Sequence, residues 1–147
     1  MSLSELQALG RLRPHKTSRR EVDDLLRLAE RDLGDARVEG VSTDRRFMIT
    51  YEAAVALATI PLHCAGLRTD GTGHHQTTFL ALPFVMGAEF AELAAYFDSC
   101  RTKRNLSAYD RTGGTSETEV EEILREVASF REKILAWLKA YHPEHTG

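Results

Sequence analysis

The chain has 147 residues, of which 42% are hydrophobic and 28% are charged. A chain of this length normally folds as one domain, and its core needs no disulfide or metal for stability. The formal net charge of −3 argues against a uniformly basic nucleic-acid-binding protein, although a local basic patch is compatible with it.

The N-terminal segment, residues 1–16, has no apolar stretch of the kind that a signal peptide needs. The longest apolar runs, 53–62 and 79–88, are shorter than the roughly 20 residues that span a bilayer. We therefore expect a cytoplasmic protein with no membrane partner. Residues 11–20 contain five basic side chains and no acid. They predict a solvated basic arm, or one that follows a nucleic-acid backbone or packs on the acidic last helix.

Capping signals mark the first two predicted helices. Ser18 and Glu21 fit a capping box, in which each side chain satisfies a backbone donor of the other. Residues 42–44 supply a cap and a favourable first-turn acid for the second helix. Pro61 predicts a kink in that helix or its early end.

The third helical stretch begins at His74, and a proline and a glycine divide it into a short piece, 74–82, and a longer piece from 88 to 104 or beyond. Ser116 and Glu119 form a second capping box at the start of a long amphipathic helix.

Four main helices with short connections predict an all-α fold, an antiparallel up-and-down bundle of four to five helices. We expect one helical domain over residues 1–147, with a basic arm at 1–16 and a tail at 142–147. Trp137 lies on the apolar stripe of the last helix, so we expect it to be buried.

The segment most informative about function is 101–111, which holds four basic residues and one acid. If it is helical, Arg101, Arg104, Asn105 and Tyr109 share one stripe, with Lys103 adding charge nearby. One interpretation is a solvated helix end whose arginines pair with acids of the last helix. The other is a site for an anionic ligand.

Arg104–Asn105 followed by Tyr109–Asp110 resembles the R-x4–6-H signature of the HEPN superfamily, in which a polar residue often follows the arginine. Tyr109 stands where the family has its histidine. The resemblance extends more loosely over most of the chain, through the capped first helix, the YEAAVALA segment and the GTGHH segment that opens the third helix.

This resemblance implies a HEPN-like helical bundle that dimerises so that two motifs share one cleft. Many members are metal-independent ribonucleases, often toxins of toxin–antitoxin systems, and others are inactive partners of a minimal nucleotidyltransferase. In the active members the RNA 2′-OH attacks the adjacent phosphate, arginine stabilises the developing charge and histidine moves protons. Carried over, Arg104 would hold the phosphate, Asn105 would donate to the substrate or the partner motif, and Arg101 and Lys103 would add phosphate contacts.

Tyr109 separates this chain from the usual motif, because a phenol with a pKa near 10 is a poor base at neutral pH. It can still donate a hydrogen bond or a proton, and a partner transferase could modify it. His74 and His75 are the candidates to supply the missing imidazole, although one of them could instead be buried or cap the helix. The alternative function is a non-catalytic module that binds a nucleotide or a partner nucleotidyltransferase.

The two cysteines and the remaining histidines indicate little about function. Cys64 and Cys100 are expected to be free thiols. His63 is expected in the core, and His142 and His145 in a frayed tail. The histidines lack H-x-x-x-H or E-x-x-H spacing, so neither a metal site nor a cofactor is predicted.

Overall fold

The protein is described by a computed structural model that covers residues 1–109 and 114–146, and the side chains of 105–109 lie outside that description. Within these residues the fold is an all-α helical bundle with one small sheet, which confirms the predicted fold class. The helices are α1 (Leu3–Ala8), α2 (Arg19–Asp35), α3 (Thr43–Cys64), α4 (His74–Met86), α5 (Ala91–Tyr109) and α6 (Glu117–Tyr141), and the strands are β1 (Leu12–Pro14) and β2 (Leu67–Thr69).

Serine caps start three of the long helices. The hydroxyls of Ser18, Ser42 and Ser116 each accept a backbone N–H three residues further along. At Ser116 the box is complete, because the Glu119 carboxylate accepts the Ser116 backbone N–H. At Ser18 only half of the predicted box forms, since the Glu21 carboxylate turns toward His15 and Thr17 instead.

Two prolines lie inside helices without ending them. α3 continues through Pro61 to Cys64, so the early end that was one of the two expectations at that proline does not occur. α4 continues through Pro83 to Met86, so its predicted end at residue 82 was wrong by four residues. Each proline removes one i→i−4 hydrogen bond but lies within the last four residues of its helix, so any distortion is confined to the final turns. Gly87 ends α4 with φ +122°, and an added Cβ there would lie 2.5 Å from a Glu89 carboxylate oxygen.

α3 is the central helix and packs against α2, α4, α5 and α6. Its alanines are almost fully buried, which lets neighbouring helices approach closely. A chain of aromatic rings crosses the core from Tyr51 through Phe79 and Phe97 to Phe130, with ring centroids 6.0, 5.6 and 5.3 Å apart. These rings tie four helices together.

α3 is also long and apolar enough to cross a bilayer by length and composition. Its mean hydropathy over 18 residues reaches 1.3, and 61% of that window is buried inside the bundle. The core helix of a soluble protein has the same features.

The N-terminal segment folds against the bundle rather than forming a solvated arm. β1 pairs antiparallel with β2, so that Leu12 lies opposite Thr69. The Arg11 guanidinium donates to the Thr77 hydroxyl of α4 at 3.0 Å. Leu6 anchors a second apolar cluster, which also contains Leu12, Leu62, Leu67 and Ala81. Pairing between segments more than fifty residues apart leaves no local sequence pattern, and the sheet was not predicted for that reason.

The C-terminal part of α6 differs from expectation in one respect. Ile134 and Leu138 are fully buried, whereas Trp137 is only partly buried at the edge of the core. Position 137 is about 100° around the helix from 138 and so lies beside the apolar stripe. The Trp137 ring packs against His142 in a tilted arrangement, with centroids 4.8 Å apart and ring planes at 43°. The following 3₁₀ turn, Pro143–His145, contacts α2, so the predicted tail is folded up to residue 146.

Both cysteines are free thiols, as predicted. Cys64 is half-buried and Cys100 is buried. Burial raises the pKa of both thiols to about 11, so they are neutral at physiological pH.

Candidate functional site

Three helices bring a polar cluster together at the side of the aromatic core. We call it the Arg104 cluster. α3 contributes two adjacent residues near its middle, α4 contributes one from its first turn, and α5 contributes three at i, i+3 and i+6. The members are Tyr51, Glu52, His75, Asp98, Arg101 and Arg104.

Arg104 lies over the central helix. Its Nη2 donates to Glu52 Oε1 at 3.1 Å, and its guanidinium carbon lies 5.9 Å from the centroid of the Tyr51 ring. The contact with the ring is a cation–π interaction, which orients the flat guanidinium group. The Arg104 side chain remains 28% exposed, so one side of it is accessible from solvent.

Arg101 lies one turn before Arg104 on the same face of α5. Its Nε donates to Asp98 Oδ1 at 2.8 Å within that helix. Both arginines act electrostatically on Tyr51 and His75. The two cations therefore share one surface, as their helical spacing predicted.

His75 is the imidazole of this cluster. Its Nδ1 lies 3.0 Å from the Tyr51 hydroxyl oxygen. Burial lowers the pKa of His75 and the Arg104 charge adds to that, while the Glu52 carboxylate opposes it. Burial also raises the pKa of Tyr51, so both partners are neutral at pH 7.

The Tyr51–His75 hydrogen bond determines what the free ring nitrogen can do. A phenol can donate or accept, so Tyr51 can serve either tautomer of a neutral imidazole. In the tautomer that carries its proton on Nδ1, the Tyr51 oxygen accepts that proton and Nε2 keeps a lone pair. Such an oriented imidazole has the form of a general base.

The other predicted site residues either lie elsewhere in the structure or have side chains that the structure does not describe. His74 is exposed and is not part of the cluster. Lys103 points toward the start of α6, where its Nζ lies 2.5 Å from a Glu119 oxygen and 5.9 Å from the centroid of the Phe47 ring. Asn105 and Tyr109 belong to α5 by their backbone, but their side chains are not described.

An apolar groove adjoins the cluster between α4 and α5. Its volume is about 240 Å³, and Asp98, the partner of Arg101, lies on its wall together with Gln76 and Leu80. Leu80 and Phe84 on α4 are 37% and 46% exposed, although both are large and apolar. The polar cluster and this apolar surface are therefore contiguous.

Sequence reasoning missed three members of the cluster. Asp98 could have been found, because it precedes Arg101 by three residues on one helix. Tyr51 and Glu52 carry no local signal, since only the packing of α3 against α5 brings them to Arg104.

A second group of titratable side chains lies at the C-terminal end of α3. His15 Nε2 and His63 Nδ1 lie 2.6 Å and 2.8 Å from the same oxygen, Oε1 of Glu21. Burial alone would raise the pKa of Glu21, but its hydrogen bonds from His15 and Thr17 and the nearby imidazoles outweigh burial and lower it. Burial also lowers the pKa of His63.

Comparisons with known protein families, with curated proteins and with solved structures give no match for this chain. The HEPN resemblance therefore depends on the residues of the sequence alone and stays a prediction.

Proposed function

We propose that the protein is a HEPN-like, metal-independent endoribonuclease whose active site is the Arg104 cluster. The observation that carries this proposal is the position of His75. The motif helix lacks the histidine that this chemistry needs, and α4 brings an imidazole into the field of Arg101 and Arg104. The cluster thus combines two phosphate-binding cations with a neutral imidazole on one accessible surface.

The proposed reaction assigns one role to each group. His75 takes the proton from the RNA 2′-OH, whose oxygen then attacks the adjacent phosphorus. Arg104 and Arg101 stabilise the charge that develops on the phosphoryl oxygens. The bond to the 5′-oxygen breaks, and that oxygen takes a proton, a role for which the sequence motif offers Tyr109. The products are a 2′,3′-cyclic phosphate and a free 5′-OH, and no metal or cofactor takes part.

Substrate must first displace two carboxylates. Arg104 is paired with Glu52 and Arg101 with Asp98. The side chains of Glu52 and Asp98 are 43% and 40% exposed. Exposed ion pairs of this kind contribute little free energy, typically about 0–1 kcal/mol. A phosphate that both arginines can contact together is therefore able to replace them.

Purified protein incubated with total RNA tests the proposal. We expect cleavage that continues in EDTA and leaves 2′,3′-cyclic phosphate ends. Arg104→Ala should lower the rate by about 10²–10³-fold by removing charge stabilisation. His75→Asn should lower it by about 10²–10⁴-fold, since Asn keeps a partner for Tyr51 but cannot act as a base.

Two variants serve as matched controls. His74→Asn changes the neighbouring, exposed imidazole, and Arg27→Ala removes an exposed arginine from α2. Both should cleave like the wild-type protein. Cleavage that EDTA abolishes, or equal losses in His74→Asn and His75→Asn, would contradict the proposed mechanism.

The alternative proposal is a non-catalytic module that binds a nucleotide or a partner nucleotidyltransferase. The observation that favours it is that Arg101 and Arg104 each already form an ion pair with a carboxylate. Such pairing is typical of a stable protein surface rather than of an open catalytic site. RNA binding that depends on Arg104 without any cleavage would support this alternative.

We further propose that the protein acts in the cytoplasm as a homodimer whose two Arg104 clusters face one cleft. The exposed Leu80 and Phe84 next to the apolar groove support this arrangement, because burying them against a second copy would bring the neighbouring clusters together.

A further inference from the structure

The three side chains that meet at the C-terminal end of α3 form a set of metal-ligating atoms. One nitrogen each of His15 and His63 and one oxygen of Glu21 all lie within 4.8 Å of one another. The two imidazole rings stand with their centroids 4.4 Å apart. We propose that this group, the His15–Glu21–His63 site, binds a divalent transition-metal ion with Zn²⁺ as its preferred metal. The proposal is independent of the proposed ribonuclease function.

One buried atom points to a missing ligand. Among the described residues, His63 Nδ1 is buried and makes no hydrogen bond, although Glu21 Oε1 is only 2.8 Å away. The Glu21 oxygen is therefore close enough for an ion pair with His63 but is poorly aligned for a hydrogen bond to this nitrogen. A buried nitrogen whose contact is poorly aligned is costly, and a metal ion on the lone pair of Nδ1 would reduce that cost.

The backbone holds the three ligands in place from three separate elements. His15 follows β1, and its N–H donates to the Gly66 carbonyl at 2.8 Å. Glu21 lies in the first turn of α2, and His63 in the last turn of α3. The Thr17 hydroxyl donates at 2.7 Å to Glu21 Oε1, the same oxygen that both imidazoles contact, and so helps to orient the carboxylate. Such outer contacts are typical of metal sites, where they orient the ligands.

The ligand chemistry selects the type of ion. Two imidazoles and one carboxylate suit Zn²⁺ and its neighbours in the first transition row, whereas Mg²⁺ and Ca²⁺ prefer oxygen ligands only. Zinc ligands at about 2.0–2.2 Å in a tetrahedron lie about 3.4 Å from one another. The present separations of 2.6 and 2.8 Å therefore require each imidazole to move outward by less than an ångström. The partly exposed Glu21 leaves a side open for water as the fourth ligand.

Bound metal would join the N-terminal segment to both α2 and α3. Sequence spacing could not reveal this group, because His15 and Glu21 are six residues apart and His63 lies on another helix. Arg68 is the nearby cation that acts on His63, and its charge opposes the metal.

Calorimetric titration of ZnCl₂ into untagged full-length protein, stripped with EDTA and dialysed, tests the site. We expect one equivalent of Zn²⁺ per chain, a higher melting temperature in its presence and no saturable binding of Mg²⁺. His15→Gln and His63→Gln should abolish the one-equivalent binding, and Thr17→Val should weaken it by about 10–100-fold. Circular dichroism shows whether each variant is folded, and Thr17→Val keeps all three ligands if a histidine variant unfolds.

The control is a double variant, His142→Gln with His145→Gln, which removes the other histidine pair next to a carboxylate. It should bind Zn²⁺ like the wild type. Loss of binding in this control, unchanged binding in His15→Gln and His63→Gln, or no stoichiometric binding in the wild type would overturn the proposal. Cleavage of RNA is not a readout here, so the two proposals can fail separately.

Discussion

The Tyr51–His75 pair shows how burial sets the state of a side chain in this protein. Tyr51 is completely buried, and its hydroxyl meets the imidazole at 3.0 Å where α3 and α4 come together. The pair is kept neutral because the interior disfavours both the phenolate and the imidazolium. A neutral imidazole next to two arginines keeps its lone pair at pH 7, while an imidazolium would repel them.

The lowered pKa of His75 predicts a pH-dependent stability. The folded state binds this proton less well than the unfolded chain, whose histidines titrate near pH 6.5. Well above that pH, His75 is neutral in both the folded and the unfolded state, so it adds no pH dependence to the free energy of unfolding. As the pH falls through about 6.5 toward the lowered folded-state pKa, the unfolded state takes up more protons and the free energy of unfolding falls. His75→Asn removes this dependence, so the variant should lose less stability than the wild type between pH 7 and 5.

Urea denaturation at several pH values measures the effect, with His74→Asn as the matched control. The exposed His74 should leave the wild-type pH dependence in place. Identical pH profiles for wild type and His75→Asn would show that the imidazole titrates normally in the folded protein.

At the scale of the elements, local signals were predictive and long-range pairings were not. Ser18, Ser42 and Ser116 mark helix starts correctly, because a cap is decided by residues three positions apart. The strands escaped prediction because each has only three residues and its partner lies far away in the chain. The same limit applies to Glu21, whose carboxylate contacts His15, six residues earlier, and His63 of α3 instead of completing the capping box.

In the candidate site, too, features set by local spacing could be predicted and features set by helix packing could not. Arg101 and Arg104 could be placed on one face from their spacing alone. Lys103, although adjacent in sequence, lies on the side of α5 that meets α6. The choice between His74 and His75 could not be made from the sequence, because only the packing of α4 on α3 determines which imidazole turns inward.

The short helix α1 offers a test of whether the N-terminal segment is part of the folded core. Leu6 is fully buried in the second apolar cluster, whereas Leu9 on the same segment is 62% exposed. Leu6→Ala should lower the free energy of unfolding by about 2–5 kcal/mol, because it removes a buried side chain and leaves a cavity. Leu9→Ala should change it by less than about 0.5 kcal/mol. Urea denaturation of both variants measures this, and equal stabilities would mean that α1 is detached in solution.

At the scale of the whole molecule, the bundle places a buried aromatic core beside one polar cluster and one apolar groove. α4 serves both surfaces: its first turn carries His75, and its outer face carries Leu80 and Phe84. A second copy that covers the outer face of α4 would lie next to the Arg104 cluster. Dimerisation and RNA cleavage are therefore expected to depend on each other.

Phe84→Glu tests this dependence. The side chain is 46% exposed in the single chain, so a charge there should leave the fold intact but oppose burial against another copy. We expect the wild type to sediment as a dimer and Phe84→Glu as a monomer, with cleavage lost in proportion because the two clusters no longer share a cleft. Val38→Glu, which adds the same charge at another exposed apolar position, should stay dimeric and active. A wild type that sediments as a monomer, or a monomeric Phe84→Glu variant that cleaves RNA at the wild-type rate, would show that each chain acts alone.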